Sequence, residues 1–273
     1  MIPEKRPENI IGNYHTHTSR CHHAYGEDRE FVEAAIQAGY ASLGFSDHTP
    51  WPYRTGHVSG VRMLPEELDG YIASVKDLRE HYRDSIRIHL GLEVEYLPEY
   101  LDWMHEMRDR GIEYFIMGQH TLGSEENEIY TARACVEDDA VLRYADICCE
   151  GIRSGLFSYI CHPDLFMDRR RDEDFSPACM EAADRIVQAC QEMHIPLEYN
   201  LLGVLSHVED NPRGYPSRAF WDYVSRYDVP VIIGVDAHEP YHLTHPQTRK
   251  IAEDRIRELG MKLITRLPMD DDM

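Results

Sequence analysis

Short runs of branched and aromatic apolar residues recur along the chain, and they begin roughly 27 to 45 residues apart. Each run has the length of a β-strand and is bounded by polar or turn-forming residues. We predict seven strands, which are Ile10–Tyr14, Ser42–Ser46, Ile86–Glu93, Tyr114–Gly118, Phe157–Cys161, Pro196–Tyr199 and Pro230–Val235.

Segments with helical periodicity fill the intervals between these strands. Pro65, Pro98 and Pro177 stand near predicted first turns, where helices favour proline, and Gly39 and Gly111 stand near predicted ends, where helices favour glycine. The predicted helices are Asp28–Gly39, Pro65–Arg83, Pro98–Arg110, Arg133–Gly155, Pro177–His194, Ser217–Tyr227 and Pro246–Leu259.

Strict alternation of strands and helices predicts a parallel sheet, either open or closed into a barrel. The length of 273 residues is normal for a single α/β barrel. We find no linker, low-complexity segment or internal repeat, so we assign residues 1–273 to one domain. The last apolar run, Met261–Thr265, predicts an eighth, peripheral strand.

Composition and charge narrow the range of functions. The chain is 42% hydrophobic and 28% charged, as globular proteins are. A formal net charge of −21 disfavours nucleic acid and anionic membranes as partners. The same charge repels a phosphorylated substrate unless the binding site carries positive charge of its own, which a multi-metal centre would supply.

Hydropathy and cysteine usage indicate a cytoplasmic protein. No apolar stretch approaches the roughly 18 residues of a membrane span, and Met1–Pro7 lacks the apolar run of a signal peptide. The seven cysteines are scattered, with Cys148 and Cys149 adjacent, which suggests reduced thiols and not a disulfide framework. We interpret the acidic stretch Asp270–Asp272 as a solvated end.

Histidines are most concentrated in the segment Asn13–Gly26. His15 and His17 are two residues apart, and alternate residues of an extended segment point to the same side, so both imidazoles can reach one ion. His23 lies past the end of the predicted strand and can return toward the same cavity. A single His-x-His pair is common in a chain with sixteen histidines, so this segment alone is weak support.

A stronger pattern is that all seven predicted strands end at, or are followed by, polar residues of the kinds found in active sites. In α/β barrels the active site lies at the carboxyl ends of the strands, so we expect these side chains to share one site. In chain order they are His15 and His17, Asp47 and His48, Glu93, His120, His162, Asn200, and Asp236 and His238.

Nitrogen and oxygen donors without an obligatory thiolate suit zinc, iron or manganese. Nine ligands are too many for one ion and predict a cluster of two or three divalent ions, with Glu93 as the natural bridge. Such a cluster lowers the pKa of bound water to about 7 and favours hydrolysis of a phosphate ester. The nine predicted ligands are His15, His17, His23, His48, Glu93, His120, His162, Asp236 and His238.

A competing motif pairs Cys179 with Arg185 at the spacing of cysteine-dependent phosphatases. That chemistry needs a loop of backbone N–H groups around the phosphate and a thiol of lowered pKa. The stretch lacks glycine, carries two carboxylates and follows Pro177 in a helical pattern, so we reject this interpretation. Phosphate-loop and dinucleotide-binding glycine motifs are also absent from the sequence.

Taken together, the motifs resemble the PHP (polymerase and histidinol phosphatase) superfamily, and more narrowly its monofunctional histidinol-phosphatase branch. The resemblance spans nearly the whole chain. It is carried by His15-x-His17-x3-Cys21-x-His23, Phe45–Pro50, Gly91–Tyr96, Gln119-His120, Cys161–Asp164, Glu198–Asn200, Tyr215–Ser217 and Gly234–His238.

This resemblance implies a distorted (β/α)7 barrel of the PHP, TIM-like kind with a trinuclear metal site. By position, one ion would be held by His15, His17, Glu93 and Asp236, a second by His23, His48 and His238, and a third by Glu93, His120 and His162.

The expected reaction is attack by a metal-bound hydroxide on the phosphorus of a phosphomonoester, with L-histidinol phosphate as the expected substrate. We expect Asp47 to orient His48 and not to bind metal. Arginine suits bidentate recognition of phosphate. The candidate substrate-binding residues are therefore Arg213, Arg169 and Arg54, in that order, together with Tyr215 and Ser217.

Two alternatives stay open from the sequence. The first is a PHP phosphoesterase that acts on another small substrate, such as a nucleotide, a sugar phosphate or phosphotyrosine. The second is a non-catalytic or nucleic-acid-directed PHP module that serves a polymerase or repair partner. The net charge of −21 and the complete set of ligand residues disfavour the second alternative.

Overall fold

A computed structural model describes residues 11–211 and 213–270, and a parallel sheet of eight strands organises them. Neighbours in the sheet are neighbours in the sequence, as expected for successive β/α units. The strands are β1 (Gly12–Asn13), β2 (Ser42–His48), β3 (Arg87–Val94), β4 (Tyr114–Met117), β5 (Tyr159–Ile160), β6 (Leu197–Asn200), β7 (Val231–Gly234) and β8 (Leu263–Ile264).

Helices cover the outside of this sheet. The α-helices are α1 (Asp28–Gln37), α2 (Leu68–Tyr82), α3 (Leu101–Asp109), α4 (Thr131–Ala134), α5 (Asp138–Arg153), α6 (Pro177–Met193), α7 (Leu201–Val208), α8 (Arg218–Val224), α9 (Pro240–Thr244) and α10 (Thr248–Glu258). Short 3₁₀ helices occupy Ser19–Cys21, Pro65–Glu67, Pro98–Tyr100, Leu165–Met167, Asp172–Asp174 and Pro268–Asp270. Across the described ranges, no helix is both long enough and apolar enough to cross a membrane.

Backbone hydrogen bonds close the sheet into a distorted barrel. At one end the N–H of Gly12 donates to the carbonyl of Thr265, 2.8 Å away, so the region after β8 reaches β1. At the other end the N–H of His17 donates to the carbonyl of Ala237 at 2.9 Å, so the extensions of β1 and β7 meet directly. The predicted distorted (β/α)7 barrel is therefore confirmed. The predicted eighth strand is present as β8, but it lies between β7 and the start of β1 and is not peripheral.

The barrel has an apolar core on each side of the sheet. The larger core lies between the strands and the helices. The smaller one fills the barrel interior around Tyr14, Tyr114 and Tyr159, all of which are buried. Because tyrosine rings occupy the interior, the barrel is a packed scaffold, and its polar residues collect at the carboxyl ends of the strands.

The structure divides the helix predicted over Arg133–Gly155 into α4 and α5. Cys135 and Val136 lie in the break, where their carbonyls lose helical partners. The guanidinium of Arg170 binds both carbonyls, at 2.5 Å and 3.0 Å. This contact comes from more than 30 residues away, and local periodicity does not reveal it.

Strand and helix bounds differ elsewhere by smaller amounts. The first strand is confined to Gly12–Asn13, and Ile10 of the predicted run lies outside the described residues. Helices α7 and α9 were not predicted. The α7 segment is apolar around most of its circumference, so it lacks the periodicity that identifies a surface helix.

The prediction that Asp270 belongs to a solvated end is wrong. Its side chain is buried, and its carboxylate accepts hydrogen bonds from Tyr14 Oη and Ser42 Oγ and contacts His89 Nε2. The Ser42 and His89 distances are both 2.8 Å. The 3₁₀ helix at Pro268–Asp270 thus ties the chain end to β1, β2 and β3, while residues 271–273 lie outside the described part of the chain.

Candidate metal site

Glu93, near the end of β3, is the centre of the polar cluster. Its Oε2 atom lies 3.5 Å from both His15 Nε2 and His17 Nε2, and 3.1 Å from His48 Nδ1. Its other oxygen, Oε1, lies 2.9 Å from His162 Nε2 and 3.2 Å from an imidazole nitrogen of the residue that follows β4, His120. Each carboxylate oxygen therefore faces a different set of imidazoles, which is the arrangement of a bridging ligand.

Asp236 and the remaining histidines complete the cluster. Asp236 Oδ1 lies 3.3 Å from His15 Nε2 and 3.1 Å from His17 Nε2. Potential ligand atoms of His23, His48 and His238 lie within 4.8 Å of one another. The nine predicted ligands thus meet at one edge of the barrel. Their distances form overlapping groups, among them His15, His17 and Asp236, then His17, His48 and Glu93, and then His23, His48 and His238.

The donor atoms fit metal ions. Within residues 11–211 and 213–270, His15 Nε2, His17 Nε2, His48 Nδ1 and Glu93 Oε2 are buried and have no hydrogen-bond partner. Buried polar atoms are normally satisfied, so their convergence suits a bound cation. Donor separations near 3.3 Å are also those of ligands around an ion with metal–nitrogen bonds of about 2.0–2.1 Å.

Oxygen atoms contact several imidazoles on the side of the ring that faces away from the cluster, and these contacts orient the rings. The outer Nδ1 atoms of His15 and His120 lie 2.8 Å and 2.9 Å from Glu198 Oε2 and Glu95 Oε1, respectively. Similarly, His23 Nδ1 lies 2.7 Å from the carbonyl of the Cys21 residue. Such contacts fix the tautomer so that Nε2 would face a bound metal, and they would raise the basicity of the ligand.

Carboxylates also shift the titration of the buried imidazoles. Burial opposes protonation of His15, but Glu198, Asp236 and Glu93 outweigh it and raise its pKa well above the ordinary value. At His17 the neighbouring carboxylates likewise outweigh burial, and the pKa of its imidazole rises to about 9. Protons and metal ions compete for such donors, so metal loading is expected to release protons.

The pKa values of three other histidines are lowered. Burial, followed by repulsion from His17, lowers the pKa of His23 and lowers that of His48 and His238 well below the ordinary value. These imidazoles are therefore neutral near pH 7, which is the form that binds metal.

Backbone geometry at the site is unusual. His162 and Asp236 have positive φ angles of 31° and 55°, a region that non-glycine residues rarely occupy and that clusters at functional sites. Glycines make room for the two inward carboxylates. A Cβ atom on Gly118 would lie 2.0 Å from Glu93 Oε1, and one on Gly234 would lie 2.1 Å from Glu198 Oε2.

A cavity of about 570 Å³ opens above the cluster. Its floor includes Glu93, and its walls include Arg133, Arg213 and Tyr215. The Arg213 guanidinium donates a hydrogen bond to Tyr215 Oη at 3.1 Å, whereas the Arg133 guanidinium makes no hydrogen bond or ion pair with the described residues. The cavity therefore combines a candidate metal floor with cationic walls, which suits a phosphate group.

Three of the candidate substrate-binding residues lie away from this cavity. Arg54 donates to the carbonyl of Glu99 at 2.9 Å. Arg169 and Ser217 line a different cleft, and Ser217 Oγ caps α8 by accepting the N–H of Phe220 at 3.2 Å. The structure therefore brings Arg213 and Tyr215 together with the metal ligands and leaves the other three outside.

The side chains of Asp47 and Asn200 contact predicted metal ligands. Asp47 Oδ1 accepts the backbone N–H of His48 at 2.8 Å and lies 3.5 Å from the imidazole of His17, so the ring that it contacts is that of His17. Asn200 caps α7 by accepting the N–H of Gly203 at 2.9 Å, and its amide donates to Asp236 Oδ2 at 3.1 Å.

Sequence reasoning missed the roles of Glu95, Glu198, Arg62 and Arg133. Glu95 and Glu198 lie two residues from Glu93 and Asn200, respectively, so period-two alternation along each strand was the available signal. No comparable local signal marks the two arginines, because an irregular segment brings Arg62 to the cavity and the four-residue helix α4 brings Arg133.

The competing cysteine motif lies far from this chemistry. Cys179 is buried within α6, and Arg185 forms surface ion pairs with Asp146 and Glu181. A continuous helix offers no cradle of N–H groups at these residues, so the rejection of the motif is consistent with the structure.

The chain combines a parallel barrel with a cluster of histidines and carboxylates at the carboxyl ends of its strands. This combination is typical of barrel proteins that bind metal at that end. A model of the PHP domain matches residues 13–201, which is more than half of the chain. The chain therefore belongs to the PHP domain family.

Known proteins resemble the chain over most of its length. A Deinococcus radiodurans protein named "Probable histidinol-phosphatase" is 29% identical over 259 residues, which cover 92% of this chain and 94% of that protein. A crystal structure from Listeria monocytogenes has a TM-score of 0.74 at 18% identity and covers 87% of this chain and 99% of its own.

A second crystal structure is that of histidinol phosphate phosphatase from Lactococcus lactis, complexed with zinc, L-histidinol and phosphate. It has a TM-score of 0.69 at 17% identity and covers 95% of this chain and 98% of its own. At these identities the two crystal structures show the shared fold alone.

Proposed function

We propose that this protein is a metal-dependent phosphatase that hydrolyses L-histidinol phosphate to L-histidinol and phosphate. The observation that carries the proposal is the convergence of nine metal-type ligands around Glu93, on the floor of a cavity whose walls carry Arg133 and Arg213. The choice of substrate rests on the near full-length relative named for histidinol phosphatase activity.

The proposal includes two or three divalent ions, of zinc, iron or manganese. When bound, the ions would activate water and neutralise charge on the phosphate oxygens. They would be held by the three ligand groups that the family resemblance implies. Those groups are His15, His17, Glu93 and Asp236, then His23, His48 and His238, and then Glu93, His120 and His162.

The chain's own residues would bind and orient the substrate. Arg213 and Arg133 would donate hydrogen bonds to phosphate oxygens, because a planar guanidinium matches phosphate geometry. Tyr215 holds Arg213 toward the cavity through its hydroxyl. The N–H of Thr55 donates to Glu126 Oε1 at 3.0 Å and so joins the segments that follow β2 and β4.

We also propose that the protein works in a reducing compartment, the cytoplasm. All seven cysteines are free and buried, and Cys148 and Cys149 are adjacent in α5 without forming a bond. Oxidation would require these packed thiols to become exposed. Thiol titration with and without denaturant, on protein from oxidised and reduced extracts, tests this assignment.

The decisive experiment is phosphate release by protein that has been stripped of metal and reloaded with manganese, zinc or iron. The panel contains L-histidinol phosphate, p-nitrophenyl phosphate, AMP and several sugar phosphates. We expect kcat/KM for histidinol phosphate above about 10⁴ M⁻¹s⁻¹, in the ordinary range for enzymes, and well above the others. Efficient turnover of another ester with histidinol phosphate poor would refute the substrate and keep the metal site.

Variants test whether the cluster is the catalytic centre. Glu93→Ala and His48→Ala are expected to abolish turnover, because each removes a buried ligand at the shared centre. Cys179→Ser is the matched control from outside the site and should retain activity. Loss of activity in Cys179→Ser, with the circular dichroism spectrum unchanged, would count against the metal mechanism.

A further inference from the structure

A second and larger cleft, of about 1200 Å³, lies outside the barrel next to β6, α7 and α10. Its apolar surface includes Val204, Val208 and Ile251. Arg213 lines this cleft as well as the metal cavity, so the two spaces adjoin. The proposed phosphatase reaction makes no use of the other residues of this cleft.

Two exposed guanidinium groups of the cleft lack partners in the described part of the protein. Arg171 and Arg218 line it, and neither guanidinium makes a hydrogen bond or an ion pair with any residue in the described ranges. Many other arginines of this acidic chain are paired, as Arg79 is with Glu113 at 2.7 Å. Two cationic groups thus remain available in one concave surface.

The carboxylates of the cleft are already engaged. Asp172 Oδ1 accepts hydrogen bonds from Ser217 Oγ at 2.8 Å and the N–H of Ala219 at 3.1 Å. Asp254 pairs with Lys250 and Arg257 at 2.6 Å and 2.8 Å. Glu258 lies 3.5 Å from Arg255 Nη1. Asp168 lies near Arg169 and Arg213.

Tyr199 supplies an independent observation. It alternates along β6 with Glu198 and Asn200, which contact the metal-site residues, and so faces the opposite side of the sheet. Its side chain is 7% exposed and lines the cleft, and its hydroxyl makes no hydrogen bond with the described residues. The hydroxyl is not among the buried unpaired atoms, so it is accessible from the cleft and can donate a hydrogen bond to a molecule bound there.

We propose that this cleft is a second binding site, for a small organic anion with an apolar body. Arg171 and Arg218 bind the anionic group, and the hydroxyl of Tyr199 donates a hydrogen bond to it. Val204, Val208 and Ile251 cover the apolar part. The site stands independently of the proposed phosphatase activity, because none of these residues contacts the metal cluster.

The test is a fluorescence titration of metal-loaded protein with 8-anilinonaphthalene-1-sulfonate, which joins a sulfonate to an apolar body. We expect one dye per chain. Arg171→Gln and Arg218→Gln should each weaken binding about five-fold or more, because each removes a charge-assisted hydrogen bond. Arg218→Lys should restore part of the affinity, and Tyr199→Phe should weaken it.

Two controls separate this site from general dye adsorption. Arg226→Gln removes the same charge from a residue outside the cleft, where Arg226 lies over the ring of Tyr223 at 4.2 Å, and should leave affinity unchanged. Uncharged N-phenyl-1-naphthylamine should be insensitive to the arginine variants. Wild-type binding by the folded double variant Arg171→Gln/Arg218→Gln, or failure of the unaltered protein to bind the sulfonate at 1 mM, would overturn the proposal.

Discussion

Glu95 illustrates how a residue that need not touch metal can govern the site. Its carboxylate lies 2.9 Å from His120 Nδ1 and 3.0 Å from the guanidinium of Arg62, and it accepts the indole N–H of Trp51 at 2.9 Å. Burial opposes its ionisation, but Arg62 and His120 outweigh burial and lower the pKa of Glu95 to about 2. The group is therefore an anion that holds His120 in position.

Glu95→Gln is expected to weaken metal binding about 10- to 100-fold, the usual effect of removing a hydrogen-bond partner of a metal-ligating histidine. The measurement is competition with a chelator together with elemental analysis, so it does not depend on the substrate. Glu113→Gln, at a surface ion pair with Arg79, is the matched control. Equal metal affinity in Glu95→Gln and wild type would show that Glu95 does not position His120 for metal binding.

Arg213 offers a second test at the scale of single residues, and this one rests on the proposed function. Arg213→Lys keeps the positive charge but loses the planar fork that matches phosphate. We expect KM for the phosphomonoester to rise about ten-fold while metal content stays constant. Arg54→Lys, which lies outside the cavity, should leave KM unaltered. An unchanged KM in Arg213→Lys would exclude it from phosphate binding.

At the scale of elements, the C-terminal 3₁₀ helix ties the chain end to the bottom of the barrel. Burial opposes ionisation of Asp270, but hydrogen bonds from His89, Tyr14 and Ser42 outweigh it and lower its pKa to about 2. Because the native pKa lies below that of the unfolded chain, this stability is present above about pH 4 and is lost as pH falls toward 2.

Asp270→Asn should therefore lower the free energy of unfolding at pH 7 by roughly 2 to 3 kcal/mol. The difference between variant and wild type should shrink as pH falls from 4 toward 2, which denaturant titrations at several pH values can measure. Asp84→Asn removes the charge of a carboxylate that is 94% exposed and should change stability by less than about 0.5 kcal/mol. A pH-independent difference would show that the Asp270 charge is not responsible.

The elements also show which features the sequence determines locally. Strands β2 and β3 were predictable because their apolar runs are long, and the ligand residues at their ends follow from strand position. The break between α4 and α5 depends on Arg170, which is remote in sequence. The burial of Asp270 depends likewise on three strands that meet beneath it.

In the candidate site, too, some residues follow from local sequence and others depend on remote contacts. The nine predicted ligand residues follow from the ends of the strands and from motif spacing, whereas Arg62 and Arg133 beside the cavity were not predicted. Arg54 and Arg133 are both arginines in irregular or short elements, yet only the second lines the described metal cavity. Loop conformation decides this, and it arises from contacts such as that of Arg62 with Glu125 at 3.0 Å.

At the scale of the whole molecule, charge is unevenly distributed. The chain has a net charge of −21, yet Arg133 and Arg213 line the metal cavity, and Arg171 and Arg218 line the adjoining cleft. The anionic ligands that we propose would therefore approach through a repulsive field and be bound by local positive charge. Long-range repulsion is screened by salt, whereas contacts inside a cavity are screened much less.

Ionic strength should therefore raise kcat/KM. The Debye length falls from about 30 Å at 0.01 M to about 8 Å at 0.15 M salt, so potassium chloride in this range weakens repulsion between protein and substrate. For p-nitrophenyl phosphate, a dianion, we expect a rise of about two- to five-fold with kcat constant. Histidinol phosphate carries a compensating ammonium group, so its rise should be smaller. Sucrose at matched osmolality controls for solvent effects. A fall in kcat/KM for both substrates would mean that the positive charge around the cavity, and not the net charge of the chain, governs their approach.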